Sequence, residues 1–315
     1  WVPASSIQEA ARLYATVKPA TIFQGNCLDT IENGFYACRA IDSLVALTGN
    51  LDVRGGSTLI PSLSFAEFGE RGIPEADLPK VKAAGEKEWP LMKQYGGLPA
   101  GAALCETILT EQPYSIKALI VQRSNPILTW ADTNKLKRAL DKLDFLVVMD
   151  LFMTETAELA DLVLPSATFL EQQILYQYVG RPAVVLLKEV IKPPADCWPD
   201  WKLWFELAKR LGCNKHMPWK TIDEAQSEIA SMEPLKLTLD DLKANPAGVF
   251  YAKRFWKKYE NIPDWKFGTP SCKVEIYSER LEKLGYDPLP AHYEPSQSLI
   301  SNPSLVRKYP LILIT

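Results

Sequence analysis

The stretches ALIVQRSNPILTWAD (118–132) and FLVVMDLFMTETAELADLVLPSATFLE (145–171) decide the fold class. Ala118 to Val121 is a short apolar run that breaks at Gln122-Arg123-Ser124-Asn125-Pro126. Pro126 cannot donate to a strand ladder and Asn125 favours a turn, so a strand stops there. Asp132 then stands as a helix cap before Leu136 and Leu140, which lie four apart on one helical face. Phe145 to Met149 is a second apolar run, ending abruptly at Asp150, and Asp161 to Leu164, closed by Pro165, is a third. Thr154 to Ala160 fits a helix of one or two turns between them. Runs without polar alternation suit strands covered on both faces, joined in parallel by right-handed crossovers. The loops after Val121 and Met149 then lie side by side at one sheet edge, where open parallel sheets bind ligands. Asp150 sits at that edge either as the cap of its own turn or as a ligand-facing carboxylate.

Four separated motifs occur in order: LVALTGNLDVRGG (44–56), the SNP turn (124–126), VVMDLFMTETAELADLVLPSATFLE (147–171) and FGTPSCKVEIYSERLEKLGYDPLP (267–290). Together they resemble the molybdopterin oxidoreductases of the dimethyl sulfoxide reductase family, and the resemblance runs over essentially the whole chain. It implies an α/β fold of two incomplete three-layer αβα units with mostly parallel sheets. Residues 1–117 and 118–266 would each supply part of a dinucleotide-binding domain, and 267–315 would lead toward a further barrel. Each unit would hold one arm of a molybdenum or tungsten bis(molybdopterin guanine dinucleotide) cofactor.

The same resemblance assigns individual residues. Ser124 and Asn125 stand where one dinucleotide meets the strand-end loop, Met149 and Asp150 where ribose or guanine is held, and Gln172 where a side chain, often Lys in the family, reaches the nucleotide. An acidic group at a strand's carboxyl end suits the two hydroxyls of a ribose. Asp200 precedes a helix at Trp201 to Leu211, closed by Gly212. It can cap that helix or, as in the family, accept the ring N–H and exocyclic amine of guanine. In the polar turn Gln24 to Thr30, Asn26 and Thr30 occupy positions where relatives often carry Met and Gln. The resemblance therefore implies backbone rather than side-chain contacts to the other arm there, at the start of a long buried helix predicted over Asn33 to Leu47.

Elsewhere Ser5 to Thr16 has helical spacing behind a Ser, and Ala20 to Phe23 is predicted as a short strand. The loop from Thr48 to Gly56 is either an ordinary helix end or part of the cofactor cradle. After Gly56 the prolines Pro61, Pro74, Pro79, Pro90 and Pro99, and charges over Lys80 to Glu88, predict irregular exposed chain. Tyr251, Phe255 and Trp256 among cations fit a helix face better than a nucleic-acid surface. Phe267 to Ser278 is similar to a strand segment of the family.

Composition excludes other classes. With 47% hydrophobic and 23% charged residues the chain can bury a core, and 35 basic against 38 acidic residues give a net charge of −3. That balance argues against a nucleic-acid surface, and no apolar run approaches the roughly 20 residues that cross a bilayer. Cys27, Cys38, Cys105, Cys197, Cys213 and Cys272 form no C-x-x-C pair, and the close Cys213 and His216 have no second pair. Reduced, buried thiols are expected rather than a zinc site or iron–sulfur cluster, with His216 and His292 at the surface. The chain begins at Trp1 and stops within the apolar run Tyr309 to Thr315, which reads as an interrupted strand. On that reading the metal ligand and an iron–sulfur cluster belong to an upstream region, and the isolated chain is catalytically inert. The resemblance implies that the whole enzyme performs two-electron redox on a small substrate, with an iron–sulfur electron-transfer subunit and a membrane-anchor subunit as partners besides its own remaining domains. Three alternatives stay open: a non-redox tungsten hydratase or transhydroxylase of the same family, a non-catalytic subunit like the large iron–sulfur subunit of respiratory complex I, and an unrelated nucleotide-binding domain.

Overall fold

The computed structural model describes residues 2–25, 28, 31–59, 83–91, 101–177, 182–232, 235–251 and 256–311. The chain divides into two compact units, residues 61–253 and a split unit joining 1–60 to 254–315.

In the 61–253 unit, β1 (Ala118–Gln122), β2 (Phe145–Asp150) and β3 (Leu162–Pro165) form a parallel sheet in the order β1-β2-β3. Val121 pairs with Val148, and Met149 with Leu164, so all three strands end at one rim. The most apolar run takes the centre: Leu146 to Met149 of β2 are buried, whereas β1 remains largely half-exposed as an edge. The helix Thr133–Asp141 forms as its spacing predicts, with the Asp132 carboxylate accepting from Lys135 N. Leu136, Ala139 and Leu140 of that helix pack with Cys105 and Ile108 of the helix Gly101–Thr110 and with Leu146 and Val148. Thr154 to Ala160 makes only a 3₁₀ turn at Ala157–Leu159.

A second sheet, with no counterpart in the sequence reading, is antiparallel: β4 (Ile174–Gln177), β5 (Ala183–Leu187) and β6 (Val249–Phe250). Val184 and Leu186 bury against Ala230 of the helix Ile222–Ser231 and against Leu239 and Leu242 of the helix Leu239–Ala244.

In the split unit the helix Ala4–Thr16 starts one residue earlier than Ser5, and Pro3 rather than a serine occupies the cap, its carbonyl accepting from Ser6 and Ile7. Ala20 to Phe23 is not a strand. Ala20 N donates to the Asn50 side chain at 3.3 Å, and no ladder is available to residues 20–23 among the described residues. The helix Gly34–Leu47 is present, yet only Gly34, Tyr36 and Val45 on it are buried, and Phe35 and Leu47 face solvent. Phe267 to Ser278 is likewise a chain of turns, held by Thr269 Oγ1 donating to Lys273 O and Ser271 N to Glu275. Arg39 reaches across to the carbonyls of Ile276 and Pro288, and Asp287 N donates to the Tyr36 hydroxyl.

The LTGNLDVRGG segment is a closed loop built around two buried polar residues. Asn50 donates to Tyr14 O at 3.2 Å, and Asp52 accepts Lys258 Nζ at 2.8 Å, Lys258 N at 2.9 Å and Leu59 N at 3.2 Å. Gly56 is required there, because an added Cβ would meet Asn50 O at 2.3 Å. Asn26, Cys27, Thr30 and most of the proline-rich stretch, Pro61, Pro74, Pro79 and Pro99 included, lie outside the described residues.

The thiols differ from expectation. Cys105 is buried, but Cys213 and Cys272 are exposed, and Cys38 and Cys197 are intermediate, since all but Cys105 sit away from the two apolar clusters. Burial pushes the Cys105 thiol above its ordinary range, a shift partly opposed by the Lys135 charge. The thiolate is the reactive form. Iodoacetamide near neutral pH therefore labels Cys213 and Cys272 first and Cys105 only once the protein is unfolded, as peptide mass mapping will show. Labelling of Cys105 at the rate of Cys213 would contradict this packing.

Candidate functional site

The carboxyl ends of β1, β2 and β3 meet in a closed circuit of contacts. Arg123 N donates to Met149 O at 3.1 Å, and Ser166 N donates to Asp150 O at 3.2 Å. Ser166 Oγ lies 3.4 Å from Asp200 Oδ1, and Asp200 Oδ2 is paired with the Arg123 guanidinium. The circuit closes because residues 165–167 and Trp198 run side by side: Trp198 N donates to Pro165 O and Ala167 N to Trp198 O, a parallel bridge beyond β3. That bridge delivers Asp200 to the rim at the first turn of the helix Asp200–Arg210.

Asp200 does not cap its helix. Pro199 is the cap residue, no side-chain cap bond is made, and the carboxylate turns to Arg123 and Ser166 instead. A residue already inside the first turn is poorly placed to bond the amides it would cap. Its charge still suits the positive end of the helix.

Asp150 divides its two oxygens. Oδ1 accepts Leu151 N at 2.7 Å and Phe152 N at 3.2 Å, which is the turn-capping role, while Oδ2 has no partner among the described residues. The half-buried Ser124 hydroxyl is also without a partner among the described residues.

Asn125 ties two loops together. Its Oδ1 accepts the Thr156 hydroxyl at 2.7 Å and Thr156 N at 3.3 Å, and its Nδ2 donates to Glu155 at 2.6 Å. Thr156, fully buried, in turn accepts Ile127 N. The amide beside Glu155 holds that carboxyl below its usual range. Met149 points into the core at 1% exposure, its sulfur 3.8 Å from Gln122 Nε2, so only its backbone reaches the rim. Gln172 is 4% exposed, and its amide donates to Ala167 O and Thr168 O, which braces the loop after β3.

Of the residues singled out from sequence, Ser124 and Asn125 in the loop after β1, Met149 and Asp150 at the end of β2 and Asp200 at its helix start thus gather at the carboxyl-end rim of one sheet, Met149 through its backbone alone. Gln172 lies behind them, and Asn26 and Thr30 fall outside the described residues. Arg123 and Ser166 were missed. A cation directly at a strand end was the available signal for Arg123; its acidic partner lies 77 positions away (200 − 123), and no local pattern links the two. Trp204, one turn beyond Asp200, is fixed by its indole N–H donating to Gln122 Oε1 at 2.9 Å.

Two carboxylates, a guanidinium, hydroxyls and an indole suit a polar nucleoside rather than a metal ion. Among the described residues no group of three or more His, Cys, Asp or Glu side chains could hold one.

Open parallel sheets bind ligands at rims of this kind, and comparison with known proteins gives the class of the chain. A family model described as molybdopterin oxidoreductase matches residues 9–210, more than half of the sequence, and the chain belongs to that family. Acetylene hydratase of Syntrophotalea acetylenica is 32% identical over 98% of this chain and 45% of that protein. The probable oxidoreductase YyaE of Bacillus subtilis is 30% identical over 98% of the chain and 44% of that protein. Dimethyl sulfoxide reductase DmsA of Escherichia coli is 29% identical over 99% of the chain and 41% of its own length. The solved structure of acetylene hydratase from Pelobacter acetylenicus superimposes with a TM-score of 0.80 at 29% identity, covering 98% of this chain and 45% of that one. The chain spans less than half the length of these relatives. Membership implies a molybdenum or tungsten pterin cofactor.

Proposed function

We propose that this chain is the part of a molybdenum or tungsten oxidoreductase that grips the guanine dinucleotide arms of a bis-pterin cofactor. One arm lies on the rim of the β1-β2-β3 sheet; the other is assigned to the segment of sequence containing Asn26 and Thr30. When bound, the cofactor supplies the metal and its dithiolene ligands, and with them two-electron chemistry. At the rim, Asp200 accepts the two N–H groups of the guanine edge, Asp150 Oδ2 accepts a ribose hydroxyl, and Ser124 donates to the sugar-phosphate. Asn125, Met149 and Gln172 keep the three loops in place for those contacts. The observation that carries this reading is the circuit joining Arg123, Met149, Asp150, Ser166 and Asp200 at one sheet edge. The metal ligand and the iron–sulfur cluster are assigned to regions of the whole enzyme outside this chain. An iron–sulfur electron-transfer subunit and a membrane anchor are its proposed partners; three similar proteins are themselves named as subunits, and no helix among the described residues is long and apolar enough to cross a membrane.

Thermal unfolding of the cofactor-free protein tests the base preference. A ligand at 100 times its dissociation constant stabilises the native state by about 2.7 kcal/mol. GDP is expected to raise Tm and ADP to raise it much less, because adenine offers Asp200 no matching donor pair. Equal shifts for the two nucleotides would rule out guanine recognition.

A second reading concerns the chemistry of the whole enzyme rather than the grip. The similarity to acetylene hydratase, which extends over 98% of this chain, favours a non-redox addition of water on the same cofactor scaffold. Dye reduction or dye oxidation coupled to substrate turnover by the holoenzyme supports the redox reading; turnover with neither an electron donor nor an acceptor supports hydration.

A further inference from the structure

Both oxygens of the Asp200 carboxylate are engaged, Oδ2 by Arg123 and Oδ1 by Ser166 at 3.4 Å. Guanine recognition needs the same two oxygens, one for the ring N–H and one for the exocyclic amine. A guanidinium offers a carboxylate the same planar N–C–N donor fork, so Arg123 and a guanine edge are chemical equivalents and cannot share Oδ2. Resting on the reading of Asp200 as the guanine acceptor, we propose that Arg123 is an internal stand-in for the base. It holds the Asp200 carboxylate in a receptive orientation until the nucleotide arrives, then turns to the nucleotide's phosphates.

The geometry permits the exchange. The Arg123 backbone is fixed by its N–H to Met149 O and by a φ of 51°, while its side chain is 48% exposed and therefore able to swing about a stationary backbone. Asp200 is the sole carboxylate paired with it among the described residues, and its own side chain is 20% exposed. Magnitudes favour displacement. A solvent-accessible ion pair changes an equilibrium constant by no more than about fivefold, whereas each charge-assisted hydrogen bond from the base is worth about tenfold or more. The released guanidinium gains the nucleotide's diphosphate, an anion that Arg binds in a bidentate fashion. Arg123 is thus a specificity residue as well as a placeholder: a base without the paired donors cannot evict it.

Titration calorimetry on the cofactor-free protein, with guanosine and GDP as probes, separates the parts of this proposal. In Arg123→Ala, guanosine is expected to bind about two- to fivefold tighter than in the wild type, because its competitor is gone. GDP is expected to gain less or to weaken, because the phosphate partner is also gone, so the preference for GDP over guanosine falls. Arg123→Lys keeps the charge without the fork and should retain most of that preference. Unchanged or weaker guanosine binding in Arg123→Ala overturns the stand-in role, as does an unchanged preference for GDP. Asp200→Asn distinguishes the two layers: loss of guanosine binding in this variant preserves Asp200 as the base acceptor whatever Arg123 does. Guanosine binding that ignores Asp200→Asn, or no guanosine binding by any variant, removes that reading and the stand-in role together.

Discussion

Asp200→Ala in the intact enzyme lowers the molybdenum or tungsten content of the purified protein by about 100-fold or more at limiting cofactor, while its unfolding midpoint stays within a few degrees of the wild type. The size follows from losing two hydrogen bonds to a charged acceptor, about 1.5–3 kcal/mol each. Folding is spared because the carboxylate makes neither a helix cap nor a core contact: its partners are the half-exposed Arg123 and a long Ser166 contact. Asp150→Ala has the same direction and a smaller magnitude, since Oδ1 mainly shapes the turn at Leu151 and Phe152 and only Oδ2 is open to a ligand. Metal analysis by mass spectrometry checks both. Undiminished metal in both variants would end the assignment of this rim to the cofactor.

The second large effect lies far from that rim in sequence. Asp52→Ala is expected to destabilise the protein by about 3–5 kcal/mol, because it leaves the Lys258 ammonium, 11% exposed, without its carboxylate. Against a total of about 5–15 kcal/mol for a typical domain, that loss threatens the split unit as a whole. The partners are not symmetrical. Without Lys258's ammonium, Asp52 still accepts Lys258 N and Leu59 N; without Asp52, Lys258 Nζ keeps only Leu59 O among the described residues. Lys258→Met is therefore expected to cost less than Asp52→Ala. Asp52 also sits at a φ of 53°, so Asp52→Asn, which tolerates that backbone, separates the loss of charge from backbone strain. Urea unfolding ranks the three. An Asp52→Ala variant as stable as the wild type would show that the pair carries no weight.

What could be read from the sequence was whatever short-range pattern determines. Apolar runs with abrupt polar ends located β1, β2 and β3, and Asp132 announced its helix, because burial and capping act over a few residues. Residues 20–23 had a strand-like apolar run, and 267–278 was expected as a strand from the family resemblance, but a strand exists only where a neighbour supplies a ladder, and neither signal can show the neighbour. The β4-β5-β6 sheet escaped notice for the converse reason: Val249 and Phe250 complete it from more than sixty positions beyond Ala183. At the rim, Asp150 and Asp200 were visible as carboxylates at element ends. The guanidinium paired with Asp200 was not, since no local pattern links residues 123 and 200. Capping was the local explanation offered for both acids, and it holds for one oxygen of Asp150 and fails for Asp200.

The Asp52 to Lys258 contact spans 206 positions. A ribosome adding about 5–20 residues each second takes roughly 10–40 s to bring the second partner out after the first. Throughout that interval the helices Ala4–Thr16 and Gly34–Leu47 wait, with an aspartate destined for the interior still in water. The 61–253 unit, whose two sheets and their helices are assembled from residues within it, is free to form first. Nascent chains halted shortly before residue 258 should accordingly be protease-resistant within residues 61–253 and cleavable across residues 1–60, a vectorial order of maturation imposed by one pair of charges.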